Sequence, residues 1–581
     1  MTNERTIPAA SNPDLVTFTI LTDGQVVPRK AQILSIAVSK EVNRVPVATI
    51  VFLDGDPASG NFFISNDDFF VPGKEIEIKA GYHSDEQTLF KGIITGQRIR
   101  IRENESRLMV SCKDAVFKMT LGRHSRYFSD ISDSDVFETL LNEYGLPNEV
   151  EATGAVHQQV VQYEATDWDF LLSRADANGL LCMVDDGRMT IQKPDFDQEP
   201  VVTTLYGATI LELDAEMDGR SQYEGVKAEN WDMANQEVLE VEAAEPSYQG
   251  PGNLSGTQIS NDLGLPVWEL QHGGNMKEEE LQAWADAKLR RNRLAKIRGR
   301  VSFQGFAGVK PGTMITLSGI GDRFNGDAFV SGVHHQIVSG NWTTTVQFGL
   351  DEKWFAHQYT ISHPPAAHLL PAVSGLQIGV VTALEGDPEG EDRIKVRLPL
   401  VSPQEEGAWA RLACIDAGDS RGMFFRPEID DEVVVGFING HPADAVILGS
   451  LHSSAKPTPE PLADDNFRKG FISKTDLKVI FDDEKKSITL QTPGGNTFQL
   501  DDDAGAITFE DQNGNKITMD SAGIKIESNG KIEIKATQDF NAEGLNVGLK
   551  AQAQFAAEGS ASAELSASGS TTIKGSIVQI N

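Results

Sequence analysis

Between Ser487 and Asn581 apolar and polar residues alternate in short triplets: Ile507-Thr508-Phe509, Ile517-Thr518-Met519, Ile524-Lys525-Ile526 and Ile532-Glu533-Ile534. The triplets begin 10, 7 and 8 residues apart, with Ala504-Gly505, Asn513-Gly514, Ala522-Gly523 and Asn529-Gly530 near the gaps. Period-two alternation gives each strand one face to bury, and Gly/Asn pairs are tight-turn chemistry. One strand plus one turn is the unit of a β-solenoid, and a single such strand cannot enclose a core. Either the chain coils on itself or several chains wind around one axis. After Phe540 the inward positions shrink to Ala551, Ala553, Phe555, Ala561, Ala563, Leu565 and Ala567, alternating with Gln, Ser and Glu. Small inward residues predict a narrow needle. A low-complexity Ala/Ser tail is the competing reading, but the alternation persists and Ile573, Ile577, Val578 and Ile580 return at the end.

Upstream, residues 14 to about 125 read as strands, among them Val16–Ile20, Ile33–Val38, Ala48–Leu53, Glu75–Lys79 and Leu108–Cys112, which predicts a barrel or sandwich. Two helices follow. Ser132-Asp133-Ser134-Asp135 opens one that ends at Gly145, and Thr166-Asp167-Trp168-Asp169 opens a second that stops at Gly179. Leu180–Val184 and Met189–Ile191 predict a hairpin. Residues 200–275 give no clear local signal. Glu278–Arg298 reads as the clearest helix, and its second half is basic: Lys288, Arg290, Arg291, Arg293, Lys296 and Arg298. That face is expected to be solvated or to dock on an acidic neighbouring subunit. Strands resume at Met314–Leu317 and continue to about Gly349.

After His363-Pro364-Pro365, five short strands fall within Gly379–Gly449, the count and size of a small closed OB-type barrel. Lys456-Pro457-Thr458-Pro459-Glu460-Pro461 is a stiff spacer before the needle. The expected division is 1–125, 126–200, 201–362, 363–455, 456–470 and 471–581. The fold class is mainly β.

A formal net charge of −34 argues against nucleic acid or an anionic membrane as partner for the whole surface. Cys112, Cys182 and Cys414 are far apart and odd in number, so no disulfide framework is indicated. No leader and no apolar run of about 18 residues is visible, and the chain by itself is expected to stay in the cytoplasm.

The order of parts resembles the VgrG family of trimeric spike proteins, which are similar to the hub and needle of contractile phage tails. The residues that carry the resemblance are Gly379-Val380-Val381-Thr382, Asp392-Arg393-Ile394-Lys395-Val396-Arg397-Leu398-Pro399, Trp409-Ala410-Arg411 and Arg421 to Glu428. Asp431-Glu432-Val433 and Leu448-Gly449-Ser450-Leu451 complete the barrel motif. The hub resemblance rests on Thr166 to Leu171, Val309-Lys310-Pro311-Gly312, Gly332-Val333-His334-His335 and Trp342 to Thr345. The resemblance implies a homotrimer: a hub of β-barrels with helical insertions, an OB module and an intertwined triple-stranded β-helix. It implies an inner tube protein and other baseplate proteins as partners. A conical PAAR-repeat protein would sit on a tip formed by Ile577, Val578, Ile580 and Asn581. About a dozen strands stacked at ~4.8 Å would give a rod on the order of 60 Å long. Unlike armed relatives, the chain stops at Asn581, and only about 20 residues separate the OB module from the needle, so toxic cargo is expected to be a separate molecule. These departures lean towards an extracellular phage-like particle over a type VI secretion system or a phage tail. Such a particle would assemble in the cytoplasm and be driven into a target cell, piercing its membrane.

No catalytic residue, cofactor or metal site is expected. Gly418-Asp419-Ser420-Arg421-Gly422 matches the serine-hydrolase elbow G-x-S-x-G, but no helix is predicted after Ser420, so a hydrolase is the minor alternative. His334 and His335 are adjacent in a strand and point to opposite faces. Asp501-Asp502-Asp503 and Asp511-Gln512-Asn513-Gly514 lack full calcium-loop spacing. Carbohydrate or nucleic-acid binding by the OB module would need exposed aromatics interleaved with basic residues, which are missing.

Overall fold

The computed structural model describes residues 15–28, 31–103 and 105–580. It divides into two compact units between Ala372 and Val373.

One sheet organises the first unit. Its strands run in the order Glu212–Met217, Ile297–Gln304, Asn341–Phe348, Gly326–Val338, Gln32–Glu41, Val47–Leu53, Glu105–Lys113 and Asp85–Arg102. Glu75–Tyr82, Thr17–Thr22 and Gln25–Val26 continue it, and all these neighbours are antiparallel. Gly326–Val338 pairs with Gln32–Glu41 from Gly332↔Glu41 to Val338↔Ser35, so the early and late β regions share a continuous sheet. Alternation then sorts the faces. One face buries two cores, around Ile36, Ile50, Phe52 and Leu108 and around Val301, Phe303, Val346 and Phe348. The other carries Ser39, Thr49, Ser111, His334, Thr345 and Gln347, none of them buried.

His334 and His335 do take opposite faces. His335 is buried, with Nδ1 and Thr344 Oγ1 3.0 Å apart, and burial holds its pKa down at about 3, helped by the Lys40 ammonium. A depressed folded pKa gives stability that is complete above about pH 6.5 and is lost as pH falls towards 3. The melting temperature of the first unit is therefore expected to fall across that window, and His335→Gln to flatten the slope, as read by thermal melts at stepped pH.

The helical region follows its capping signals. Asp133–Glu143 starts at a full capping box in which Ser132 accepts from the Asp135 N–H and Asp135 from the Ser132 N–H. Asp167–Ala177 is capped by Thr166, which accepts from the Asp169 N–H. Asp167 is fully buried and accepts from Gln162 Nε2 (2.7 Å), the Tyr144 hydroxyl (2.7 Å) and Arg126 (3.0 Å). Asp133 is also buried and is gripped by Arg174 through two 2.7 Å bonds. The hairpin Leu181–Asp185/Arg188–Gln192 forms as expected.

The basic helix differs from expectation in length and in role. It spans Glu278–Leu294, and the chain enters the strand Ile297–Gln304, where Arg298 lies. No Gly or Pro marks this stop; strand pairing on both sides of Ile297–Gln304 overrides helix propensity. Its cations are neither solvated nor left for a neighbour. Arg291 bonds Asp176 at 2.7 Å, Arg293 grips Glu245 at 2.6 and 2.9 Å, and Arg290 donates to Gly179 O. The buried Lys296 ammonium donates to Gln249 O and Leu254 O, and burial lowers its pKa to about 8. Residues 200–275 add the helix Gly256–Leu263 and short strands, of which Val226–Asp232 and Glu237–Glu242 pack against the basic helix.

In the second unit Gln377–Ala383, Ile394–Arg397, Ala408–Leu412, Ala445–Ser450 and Glu432–Phe437 close a five-stranded barrel. Gly379 must be glycine, since a Cβ there would stand 2.4 Å from Val396 Cγ1. Arg393 holds the 387–393 loop: Asp387 accepts its guanidinium at 2.6 Å and the N–H groups of Glu391 and Arg393 at 2.9 and 3.2 Å. These bonds, the Arg393 guanidinium foremost, hold the Asp387 carboxyl well below the usual range.

Candidate functional site

Behind the barrel seven five-residue strands form an antiparallel meander: Arg468–Ile472, Lys478–Asp482, Ser487–Gln491, Thr497–Asp501, Ala506–Glu510, Lys516–Asp520 and Gly523–Glu527. The turns are those the Gly pairs predict, with Gly505, Gly514 and Gly523 at positive φ. Asp511 accepts from its own turn, from the N–H of Asn513 and Asn515, which makes it a turn brace; among the described residues no cluster of three or more His, Cys, Asp or Glu could hold a metal ion.

Register aligns the apolar positions of all seven strands. One row runs Phe471, Val479, Leu490, Phe498, Phe509, Ile517, Ile526, each opposite the next. A second row on the same face runs Phe481, Ile488, Leu500, Ile507, Met519, Ile524. Phe498 and Phe509 stack with centroids 4.4 Å apart. Within one chain this face is open: Phe509 is 42%, Ile526 57% and Ile524 72% exposed. Seven strands at ~4.8 Å make it about 30 Å long, far beyond the scattered apolar residues of an ordinary surface. The face bounds a trough of about 1330 Å³ that Phe424 and Phe425, in the loop before the barrel strand Glu432–Phe437, also line. Phe425 stacks on Phe471 at 5.4 Å, and the Lys474–Glu428 ion pair ties the barrel to the meander. Sequence reasoning missed this joint, because Phe424-Phe425 carries no period and its partner lies 46 residues on.

Residues 528–580 contain no strand paired within the chain. The expected strand Ile532–Ile534 is thus absent from the strand pairing within the chain. Ile577, Val578 and Ile580 are 81%, 49% and 86% exposed. Asn581 lies outside the described residues.

Ser420 sits in a two-residue turn between Ala417–Gly418 and Arg421–Gly422 at φ 55°. Its hydroxyl donates to Asp419 at 3.1 Å, and no helix follows. The elbow geometry is not met. Cys112 and Cys182 are buried and Cys414 is exposed, all as free thiols. No helix among the described residues is long and apolar enough to cross a membrane.

The chain belongs to the family of the Alg8 N-terminal domain, which it matches over residues 12–339. Residues 377–452 match the type VI secretion system/phage-baseplate injector OB domain, and residues 487–581 the phage baseplate V C-terminal trimerisation domain. The actin cross-linking toxin VgrG1 of Vibrio cholerae is 22% identical over 67% of this chain and 36% of its own length. The type VI secretion system spike protein VgrG4b of Pseudomonas aeruginosa is 27% identical over 25% of this chain and 20% of its own. The chain thus spans little more than a third of these relatives at most. A Neisseria meningitidis tail protein superposes with a TM-score of 0.44 at 15% identity, covering 59% of this chain and 98% of that one.

Proposed function

We propose that the chain is the central spike of a contractile injection system, acting mechanically and without catalysis. The observation that carries this reading is the open apolar face running through all seven strands of the meander, continued by an alternating stretch with no partner in its own chain. Three copies cover that face and wind residues 528–581 into one needle, in accord with the trimerisation-domain match. Interwinding leaves no sheet edge open along the shaft, so load is carried by backbone pairing in every strand. The first unit joins the spike to the inner tube and baseplate. Ile577, Val578 and Ile580, with Asn581, form the seat of a PAAR-repeat tip protein. The particle assembles in the cytoplasm and is driven into a target cell on contraction, with cargo held non-covalently. Light scattering is expected to give a mass three times 63.2 kDa, and the unboiled chain to run as a trimer on a denaturing gel. A monomer would overturn the spike reading.

A further inference from the structure

The strand Val156–Ala165 of the helical region pairs only with His124–Ser132, so its other edge has no strand beside it. An edge this long is ordinarily blunted by Lys or Pro, or covered. This strand holds neither Lys nor Pro, Glu164 is its one acid, and Val156, Val161 and Tyr163 are exposed along it. Gln159, Val160 and Val161 all line a cleft of about 470 Å³. Successive side chains of a strand point to opposite faces, so three in a row at one cavity place it against the edge of the strand. Among the described residues, 159–161 have no backbone partner on that side, while the Lys277 ammonium caps the Val156 carbonyl at one end.

Phe170, Met276 and Trp284 supply the apolar wall of the cleft. Its floor is an ion network: Arg174 bonds Asp133 at 2.7 Å and Glu280 at 3.0 Å, and Glu280 lies 3.7 Å from His157 Nδ1. Glu278 and Glu279, exposed at the start of the basic helix, continue the acidic rim beside Glu280. We propose that this cleft docks an extended segment of a second protein, which adds a strand to the free edge of Val156–Ala165. A bulky apolar side chain of that segment sits against Phe170, Met276 and Trp284, and its Lys or Arg residues face Glu278 and Glu279. In strand addition main-chain bonds supply affinity and side-chain pockets supply selectivity. The cleft has the volume of a specific pocket. The acidic rim sets the sign of the partner: it attracts a basic segment and disfavours a copy of this chain, whose formal net charge is −34. The groove lies wholly in the first unit, so it does not depend on the spike reading.

The test selects displayed random dodecapeptides on the full chain, with counter-selection on Val161→Lys. Val161 is exposed, so this change spares the core while putting bulk and a cation into the cleft. Enriched peptides should share a bulky apolar residue near Lys or Arg, with no internal Pro. By fluorescence polarisation, the commonest of them should bind about tenfold or more weaker to Val161→Lys and to Glu279→Lys, both melting like the parent. N-methylation of alternate peptide amides, which removes strand pairing and keeps the side chains, should weaken it as much. Equal binding of the N-methylated peptide would overturn strand addition. Failure to enrich any peptide over Val161→Lys would overturn the groove, and a fall in native mass for Val161→Lys would give the edge to a second copy and overturn it too.

Discussion

Phe509→Asp is expected to convert the trimer to a monomer. Phe509 lies mid-way along the apolar face, stacked on Phe498 and opposite Ile517. Around a threefold axis one substitution places three carboxylates together in an apolar interior, with no cation on that face of the adjoining strands. Burying an unpaired charge costs several kcal/mol per copy, and like charges in one site repel. Together these exceed the roughly 1.5–3 kcal/mol per copy that burying a Phe contributes. Light scattering should report one third of the parent mass, and resistance to the unboiled gel should vanish. Lys525→Glu, on the opposite exposed face two strands away, is the control and should remain trimeric. A trimeric Phe509→Asp protein would show that this face is not where the copies meet.

Asp167→Ala should destabilise the first unit by about 3–5 kcal/mol, the cost of breaking a buried, multiply bonded charge. Its carboxylate is completely buried yet its pKa stays below the ordinary value: burial alone would raise it, but bonds from Gln162 and Tyr144 and the Arg126 charge more than offset this. Truncation leaves the Gln162 amide and Tyr144 hydroxyl without their acceptor, beside the core residue Trp168. Urea titration followed by tryptophan fluorescence should show the shift in midpoint. Asp167→Asn, which keeps the shape and loses the charge, should cost less than half as much. A loss under about 1 kcal/mol for Asp167→Ala would mean that Asp167 does not hold the helical region together.

Much of this architecture is written in local pattern. The five barrel strands and the meander declare themselves because period-two alternation and Gly-rich turns are properties of neighbouring residues. The first helix does so because Ser132 and Asp135 satisfy each other's backbone. What stayed hidden depends on partners far along the chain. Arg291 finds Asp176 across 115 residues and Arg293 finds Glu245 across 48, so a helix that looks like a solvated basic face is an internal clamp. The helix end at Leu294 is set by the two strands that flank Ile297–Gln304 in the sheet. The candidate face was legible as alternation, while its joint to the barrel through Phe425 was not. The triplets Arg98-x-Arg100-x-Arg102 and Glu212-x-Asp214-x-Glu216 are plain in the sequence. Only topology reveals that both belong to one sheet.

The stretch from 528 to 580, with no strand neighbour of its own, ties the shaft to the law of mass action. In the proposed trimer its order comes from two other chains, so its occupancy at equilibrium scales with the square of free chain concentration. Dilution is therefore a denaturant for the shaft and not for the barrel or the hub, and a cell making few copies would hold hubs without needles.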